Sequence, residues 1–215
     1  MGFDKLLAPL GSKNVLALSI EALLAVPEVG ELICVTEPER FEVVESLVAN
    51  SSKPIRSVPG GTERQDSVWS GLQAVSPESE LVAIHDGARP LVCAETISKC
   101  LAIAKKKGAA SLAHPVTETL KRANEKGLVC ESVSRDHLWA METPQCFQLP
   151  LILQAYNALR EDSGIATDEV SAVQSLGASI HLVHNHKPNP KITYPGDLAL
   201  AENLLQARVS SAEEP

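Results

Sequence analysis

Apolar and polar positions alternate along the chain in blocks that predict a succession of strands and helices. Short apolar runs of the length of buried strands occur at residues 31–36, 55–58, 80–85 and 109–113. Between them, apolar residues at helical spacing predict helices over residues 14–26, 38–49, 63–75 and 94–107. Because alternating strands and helices form parallel sheets, the pattern predicts an α/β fold: a Rossmann-like, mostly parallel sheet with helices on both faces.

Residues 116–136 interrupt this alternation. Two short strand patterns, 117–123 and 128–133, flank the turn Asn124-Glu125-Lys126-Gly127 and predict a β-hairpin. An isolated two-stranded hairpin is marginally stable, so we expect it to pack on a second copy of the chain. Helices over 149–160, 168–176 and 195–207 and a strand near 179–183 complete the expected domain, 1–215, with 116–136 as a projecting β-arm for dimerisation.

Composition narrows the class of protein. The chain has 215 residues, a net charge of −8 and a pI near 5.3, which argue against a nucleic-acid partner, since such partners require a basic face. No apolar run reaches the ~18 residues of a membrane span, and the first ten residues lack a signal-peptide pattern. The five cysteines are scattered and odd in number, as in a reduced cytoplasmic protein. We therefore expect a cytoplasmic enzyme or binding protein with small-molecule ligands.

Asp86 and Arg89 are the most informative polar residues, because they follow a predicted buried strand. Ligands of open α/β sheets bind outside the carboxyl ends of the strands. A carboxylate there can hold a metal ion, and a guanidinium can bind a phosphate. The alternative is a structural ion pair at a strand end.

A second candidate is the glycine turn that precedes the helix over 63–75. Gly60 and Gly61 would let a ligand approach the free backbone N–H groups at the helix start, with Ser67 and Arg64 nearby. Thr62 and Gln65 have capping-box spacing, so a well-capped turn without a ligand is the alternative.

The remaining polar segments are less specific. Thr119 lies on the arm and could donate to a phosphate oxygen, whereas the basic residues after it fit solvated hairpin charges. Lys191 precedes the last helix and would bind phosphate if it faces inward. Thr167 fits a helix N-cap. A metal site at His181, His184 and His186 is disfavoured because the last two lie in a polar loop.

Taken together and in this order, the segments resemble the 2-C-methyl-D-erythritol 4-phosphate cytidylyltransferases of the non-mevalonate isoprenoid pathway, over nearly the whole chain. The motifs that carry the resemblance are Gly60-Gly61 through Ser67-Val68, His85-Asp86-Gly87-Ala88-Arg89-Pro90, Pro115-Val116 through Lys121-Arg122, Arg135 through Thr143-Pro144-Gln145, Thr167-Asp168-Glu169, and Lys191-Ile192-Thr193 through Asp197-Leu198. The run from Thr119 to Arg122 is more similar to this family than to the ribitol-5-phosphate cytidylyltransferases.

The resemblance implies transfer of CMP from CTP to the sugar-alcohol phosphate with Mg²⁺ as cofactor. The implied catalytic residues are Lys5 and Lys191, which would flank the α-phosphate. The implied nucleotide-binding residues are Gly60, Gly61, Thr62, Ser67 and Asp86, with Asp86 also near the metal. The implied acceptor-binding residues are Arg89, Thr119, Arg135 and Thr143, with the arm residues supplied by a homodimer partner.

Two alternatives remain open at this point. Similar enzymes begin with an apolar strand and a glycine-rich phosphate loop, and Met1 matches the end of that loop, so we expect a start upstream of Met1. A sheet without that strand would leave backbone groups of its neighbours unpaired. The chain as it stands could then be an inactive nucleotide-binding dimer, or its acceptor could be ribitol 5-phosphate.

Overall fold

The computed structural model describes residues 4–162 and 164–213. Its elements, in chain order, are β1 (Pro9–Leu10), β2 (Lys13–Asn14), α1 (Val15–Leu24), β3 (Leu32–Thr36), a 3₁₀ turn (Pro38–Arg40), α2 (Phe41–Val48), β4 (Ile55–Pro59), α3 (Arg64–Ala74), β5 (Leu81–Ile84), α4 (Ala94–Lys107), β6 (Ala109–Pro115), β7 (Leu120–Ala123), β8 (Val129–Val133), β9 (Trp139–Gln148), α5 (Leu149–Glu161), α6 (Glu169–Gln174), β10 (His181–His184) and α7 (Pro195–Glu213).

The main sheet has four strands in the order β10-β6-β9-β5. Strands β6 and β10 are parallel, and β9 runs antiparallel to both β6 and β5. Strands β3 and β4 form a separate parallel pair. The predicted α/β class with parallel strands is therefore confirmed, but the parallel strands are divided between the main sheet and the separate β3–β4 pair.

Helices cover both faces of the main sheet. Neighbouring residues of a strand point to opposite faces, so adjacent residues of β9 pack against different helices. Cys146 of β9 packs into one apolar cluster with residues of α1 and α4, whereas Phe147 packs into another with residues of α3, α5 and α6. A third cluster joins the β1–β2 hairpin, the segment around Leu91, Ile192 before the last helix, and Ala201 of α7. None of the helices within the described ranges has the length and apolarity needed to cross a membrane.

Strand β9 is the main element that sequence analysis missed. Its middle consists of Glu142, Thr143, Pro144 and Gln145, a polar run with a proline that does not resemble a buried strand, yet all four are buried in the sheet. Glu142 and Thr143 are each only 4% exposed. The polar side chains are tolerated because hydrogen bonds described below satisfy them.

Two helix starts differ by one residue from the predictions. The capping box predicted for Thr62 and Gln65 is wrong, because Glu63 is the N-cap of α3 and pairs reciprocally with Asp66. The N-cap predicted at Thr167 is also wrong, since Asp168 caps α6 and accepts from the Ser171 N–H at 2.9 Å. In both cases a carboxylate satisfies the free N–H groups of the first turn in place of the threonine hydroxyl.

The projecting β-arm predicted from the sequence is present as strands β7 and β8. These strands pair with each other and with no other strand of the described chain. Its surface carries the Arg122–Glu131 ion pair at 2.8 Å, while Leu128 and Val129 near the turn are 62% and 64% exposed.

Candidate active site

Asp86 is the centre of a cluster of charges at the carboxyl end of β5. Its carboxylate lies 2.9 Å from Lys191 Nζ, 3.6 Å from Arg89 Nε and 3.5 Å from Arg64 Nη2. Burial raises the pKa of Asp86, but the hydrogen bond and charge of Lys191, with the two arginines, outweigh it and hold that pKa below its usual range. The site therefore presents an ionised carboxylate surrounded by cations.

Lys191 reaches Asp86 because its backbone is tied to the turn that follows β5. The N–H of the next residue, Ile192, donates to the Ala88 carbonyl at 2.8 Å, and the Ile192 side chain is fully buried. On the other side, Asp197 in the first turn of α7 accepts from the Thr193 N–H at 2.7 Å. The Lys191 ammonium thus points to the Asp86 carboxylate while the side chain stays 41% exposed, and its role in phosphate binding stays a prediction.

Arg89 is held in place by a chain of buried polar groups. Its Nη1 donates to the Asn189 carbonyl at 2.8 Å. The Asn189 amide donates in turn to Glu142 Oε2 at 2.8 Å and to the Thr143 carbonyl at 3.1 Å. A second amide, Asn185 Nδ2, reaches the same Glu142 oxygen at 2.8 Å. Glu142 and Asn189 were not identified from the sequence, because nothing in their local pattern indicates burial.

Thr143 and His85 fix the turn that carries Asp86 and Arg89. The Thr143 hydroxyl accepts from the Asp86 N–H at 3.0 Å and lies 3.0 Å from His85 Nδ1, while His85 Nε2 lies 3.1 Å from the Arg89 carbonyl. Because the carbonyl can only accept, we assign the proton to Nε2, so that Nδ1 accepts from the hydroxyl. Burial lowers the pKa of His85 to about 4, which agrees with a neutral ring that clamps the turn.

Arg64 bridges Asp86 and a second, fully buried carboxylate. It donates to Glu169 through its two terminal nitrogens, Nη1 and Nη2, with 3.0 Å between Nη2 and Oε2. The Tyr156 hydroxyl donates to the same carboxylate at 3.3 Å. Burial by itself lowers the pKa of Arg64. The hydrogen bond and the charge of Glu169 raise it by more, so the pKa lies above its usual range. In the sequence, Glu169 has the position of an acid in the first turn of the helix predicted over 168–176. Its burial against Arg64 was not predicted.

The glycine turn lies on the same side of the molecule, because Arg64 begins the helix that follows it. The Gly61 N–H donates to Ser67 Oγ at 3.0 Å. A Cβ at Gly61 would lie 2.3 Å from the Asp66 Cβ and 3.1 Å from the Asp66 carbonyl carbon, so only glycine fits there. Gly60 donates its N–H to the Thr36 carbonyl at 3.1 Å, and Thr62 is exposed.

Three predicted site residues are not joined to this cluster within one chain. Lys5 makes no ion pair among residues 4–162 and 164–213, although the next residue, Leu6, borders the turn at Gly87. Thr119 and Arg135 are exposed at the base of the arm, where Arg135 donates to the Thr117 carbonyl. Their predicted roles stay predictions.

A resident metal site built from protein ligands alone is not found in the described part of the chain, which contains no suitable group of three His, Cys, Asp or Glu side chains. The ring centroids of His184 and His186 lie 3.8 Å apart with the rings tilted by 41°, and no third ligand joins them among the described residues. The single ionised carboxylate of Asp86 is the kind of oxygen ligand that Mg²⁺ takes from a protein when its remaining ligands are phosphate oxygens or water.

Comparisons with known proteins agree with this architecture. The family model of IspD, 2-C-methyl-D-erythritol 4-phosphate cytidylyltransferase, matches residues 1–207. A protein of that name from Desulforamulus reducens is 40% identical over 202 residues, covering 93% of this chain and 86% of that protein. One from Pelotomaculum thermopropionicum is 41% identical over 192 residues, covering 88% and 80%.

Solved structures show the same fold. The 4-diphosphocytidyl-2C-methyl-D-erythritol synthase of Anaerococcus prevotii matches with a TM-score of 0.85 and 28% identity, over 92% of this chain and 88% of that one. The 2-C-methyl-D-erythritol 4-phosphate cytidylyltransferase of Thermus thermophilus matches with a TM-score of 0.79 and 29% identity, over 94% of each chain. Fold and site thus define a nucleotidyltransferase enzyme with a Rossmann-like sheet. The chain belongs to the 2-C-methyl-D-erythritol 4-phosphate cytidylyltransferase family.

Proposed function

We propose that this protein transfers CMP from CTP to 2-C-methyl-D-erythritol 4-phosphate, releasing pyrophosphate and forming 4-diphosphocytidyl-2-C-methyl-D-erythritol. One observation carries the proposal: Lys191, Arg89 and Arg64 surround the ionised Asp86 at the carboxyl end of β5. The family to which the chain belongs supplies the reaction class and the two substrates.

The chemistry needs charge stabilisation more than proton transfer. A phosphate oxygen of the acceptor attacks the α-phosphorus of CTP, a new P–O bond forms, and the bond to the β-phosphate oxygen breaks. The nucleophile is already an anion, so it needs no strong general base. Positioned cations lower the cost of bringing anions together and stabilise the charge that builds on the α-phosphoryl oxygens. Lys191 and Lys5 are the proposed catalytic cations.

Asp86 is the proposed protein ligand of Mg²⁺, which supplies positive charge to the triphosphate when bound. In the structure, the ion pair with Lys191 keeps the Asp86 carboxylate ionised and therefore ready to act as an oxygen ligand. Gly60, Gly61, Thr62 and Ser67 form the proposed cytidine side of the site, beside the start of α3, where the Gly61 N–H donates to Ser67 Oγ.

Arg89, Thr143, Thr119 and Arg135 are the proposed acceptor residues. Arg89 and Thr143, which lie outside the arm, can form different contacts with an acceptor. Arg89 has cationic N–H groups for a phosphate. The Thr143 hydroxyl already donates to His85 and accepts from the Asp86 N–H. Its remaining lone pair suits a hydroxyl group of the acceptor, not the phosphate.

Pyrophosphate release with CTP and Mg²⁺ tests the reaction. We expect turnover with 2-C-methyl-D-erythritol 4-phosphate and a kcat about 10²–10³ lower for Lys191→Ala, as for loss of a preorganised charge donor. Lys187→Ala is the matched control, since Lys187 is four residues away, exposed, and paired only loosely with Glu95 at 3.5 Å. A normal kcat for Lys191→Ala would remove Lys191 from catalysis. Faster turnover of ribitol 5-phosphate, or no turnover of either acceptor, would contradict the proposed function.

We also propose that the enzyme works as a homodimer in which each arm delivers Thr119 and Arg135 to the partner's site. The exposed position of both residues on a hairpin that pairs only with itself, within the described chain, supports this arrangement. Co-expression of Lys191→Ala and Arg135→Ala chains tests it. If sites are shared, mixed dimers keep one intact site, and activity recovers to about a quarter of wild type for random pairing. If each chain supplies its own residues, the mixture stays as inactive as the single variants.

A further inference from the structure

Strand β9 contains a bulge beside the active site. Its register against β6 shifts between two residue pairs, Ala113–Met141 and Ser111–Gln145, so residues 142–144 of β9 lie opposite residue 112 alone. A bulge interrupts the hydrogen-bond ladder and re-aims the side chains within it. Glu142 is the first residue of this bulge, and it is buried although it carries a carboxyl group.

The described contacts of the Glu142 carboxylate are all with the protein itself. Its Oε2 accepts from Asn185 Nδ2 and from Asn189 Nδ2, each at 2.8 Å. Its Oε1 lies 2.6 Å from His114 Nδ1. Because the side chain is buried among these donors, Glu142 can influence a substrate only through its neighbours.

Glu142 helps to fix the orientation of the Asn189 amide. Asn189 Nδ2 also donates to the Thr143 carbonyl at 3.1 Å, whereas Asn189 Oδ1 is buried and has no hydrogen-bond partner among the described residues. In the opposite orientation, Oδ1 would face the carboxylate and the carbonyl, which are both acceptors. An unpaired buried acceptor costs free energy, so the present orientation depends on the two hydrogen bonds that Glu142 and Thr143 accept.

The Asn189 backbone is one of two carbonyls that hold the Arg89 guanidinium. Arg89 Nη1 donates to the Asn189 carbonyl at 2.8 Å, and Nη2 donates to the Met141 carbonyl at 3.4 Å. Met141 directly precedes Glu142 in the chain. Glu142 is therefore covalently linked to the residue that supplies one carbonyl and hydrogen-bonded to the residue that supplies the other.

The two carbonyls leave further N–H groups of Arg89 for a ligand. A guanidinium carries more donors than the two that these carbonyls accept. Its Nε lies 3.6 Å from Asp86 and forms no hydrogen bond within the described chain. A guanidinium held in one plane can bind a phosphate through paired N–H groups, so the value of Arg89 to a ligand depends on how firmly its supports are placed.

We propose that Glu142 is a positioning residue for acceptor binding: its carboxylate orients Asn189, and the Asn189 carbonyl holds the Arg89 guanidinium where the acceptor phosphate binds. The inference rests on the proposed function, in which Arg89 binds that phosphate. Small displacements of a positioned group strongly reduce turnover, even when the substituted residue touches no substrate.

Steady-state kinetics of pyrophosphate release with two substitutions of Glu142 test this role. Glu142→Leu removes the acceptor oxygens, whereas Glu142→Gln keeps one oxygen for the two asparagine amides and offers an N–H to His114 Nδ1. We expect Glu142→Leu to raise the KM for the acceptor at least about tenfold and the KM for CTP less than about threefold. Glu142→Gln should keep both KM values within about threefold of wild type. An unchanged acceptor KM in Glu142→Leu, or equal effects of the two substitutions, would overturn the proposal.

Glu31→Leu is the matched control for a general loss of stability. Glu31 is also a partly buried carboxylate with protein donors, namely Arg56, the Ser76 N–H and Ser79, and none of these belongs to the charged cluster at the active site. We expect Glu31→Leu to lower the melting temperature and to leave the acceptor KM unchanged. An acceptor KM raised as much by Glu31→Leu as by Glu142→Leu would attribute the effect to stability and overturn the proposal.

A measurement on Arg89 itself needs no turnover and so separates this inference from the proposed function. In protein labelled with ¹⁵N-arginine, the Nε–H resonance of Arg89 is assigned by its loss in Arg89→Lys. We expect Glu142→Leu to shift or broaden this resonance and Glu142→Gln to leave it in place. If the wild type releases no pyrophosphate but the resonance responds, the proposed function fails and the positioning of Arg89 by Glu142 stands. A resonance that does not respond to Glu142→Leu overturns the positioning role. Should Glu142→Leu fail to fold, Glu142→Asp, which withdraws the carboxylate by one methylene, replaces it in both experiments with the same expected direction.

Discussion

The buried ion pair between Arg64 and Glu169 allows a quantitative test of how the site is held together. Glu169 is fully buried, and its described partners are the two guanidinium nitrogens of Arg64 and the hydroxyl of Tyr156. Replacing Arg64 with leucine keeps much of the side-chain volume but leaves the carboxylate with one neutral hydrogen bond. A stranded buried charge is one of the few defects that destabilises a protein by several kcal/mol.

The expected loss of unfolding free energy follows from the full burial of Glu169 and the partial exposure of Arg64. Breaking a buried ion pair costs about 3–5 kcal/mol. The Arg64 side chain is 41% exposed, so water partly replaces it, and we expect the lower end of that range. For a chain of this size, a loss of about 3 kcal/mol lowers the melting temperature by about 6–12 °C.

A double-mutant cycle measured by urea denaturation separates loss of the pair from loss of packing. Glu169→Leu removes the charge that Arg64→Leu would strand, so the double variant should be more stable than the Arg64→Leu single variant by about 2 kcal/mol. Additive effects of the two substitutions would contradict a stabilising interaction between Arg64 and Glu169. So would an unfolding free energy of Arg64→Leu within about 0.5 kcal/mol of wild type.

Three further predictions concern single positions. Lys5→Ala should lower kcat about 10²–10³-fold with an unchanged melting temperature, whereas normal pyrophosphate release would show that Lys5 has no catalytic role. Gly61→Ala should destabilise the chain by about 1–3 kcal/mol and weaken CTP binding in calorimetry, because its Cβ would overlap Asp66, while Gly30→Ala, with open space around it, should be neutral. Burial lowers the pKa of folded His85 to about 4, below its ordinary value of 6.5, so as the pH falls the unfolded chain binds a proton at this residue before the folded chain does. The unfolding free energy should therefore decrease from pH 6.5 to pH 4 by up to about 1.4 kcal/mol per pH unit, and an unaltered slope in His85→Gln would contradict this origin.

Most of the fold could be predicted from the sequence, because its helices and outer strands have local periodicity. The predicted helix over 94–107 coincides with α4, and the predicted strand over 80–85 contains β5. Asp86 and Arg89 could also be identified. Polar residues that closely follow a buried strand lie at the carboxyl end of the sheet, where ligands of open α/β sheets bind.

Which distant groups come into contact could be seen only in the folded chain. In the sequence, Lys191 is a single lysine before a predicted helix. In the fold, the backbone hydrogen bond from Ile192 to Ala88 brings its side chain to Asp86. Buried Glu142 and Glu169 had the local pattern of surface residues, because their partners lie tens of residues away in the chain. Periodicity reports the side of an element that is apolar, but hydrogen bonds across the fold determine whether a polar side chain can be buried. The contacts that build this site are such hydrogen bonds between residues that lie far apart in the chain.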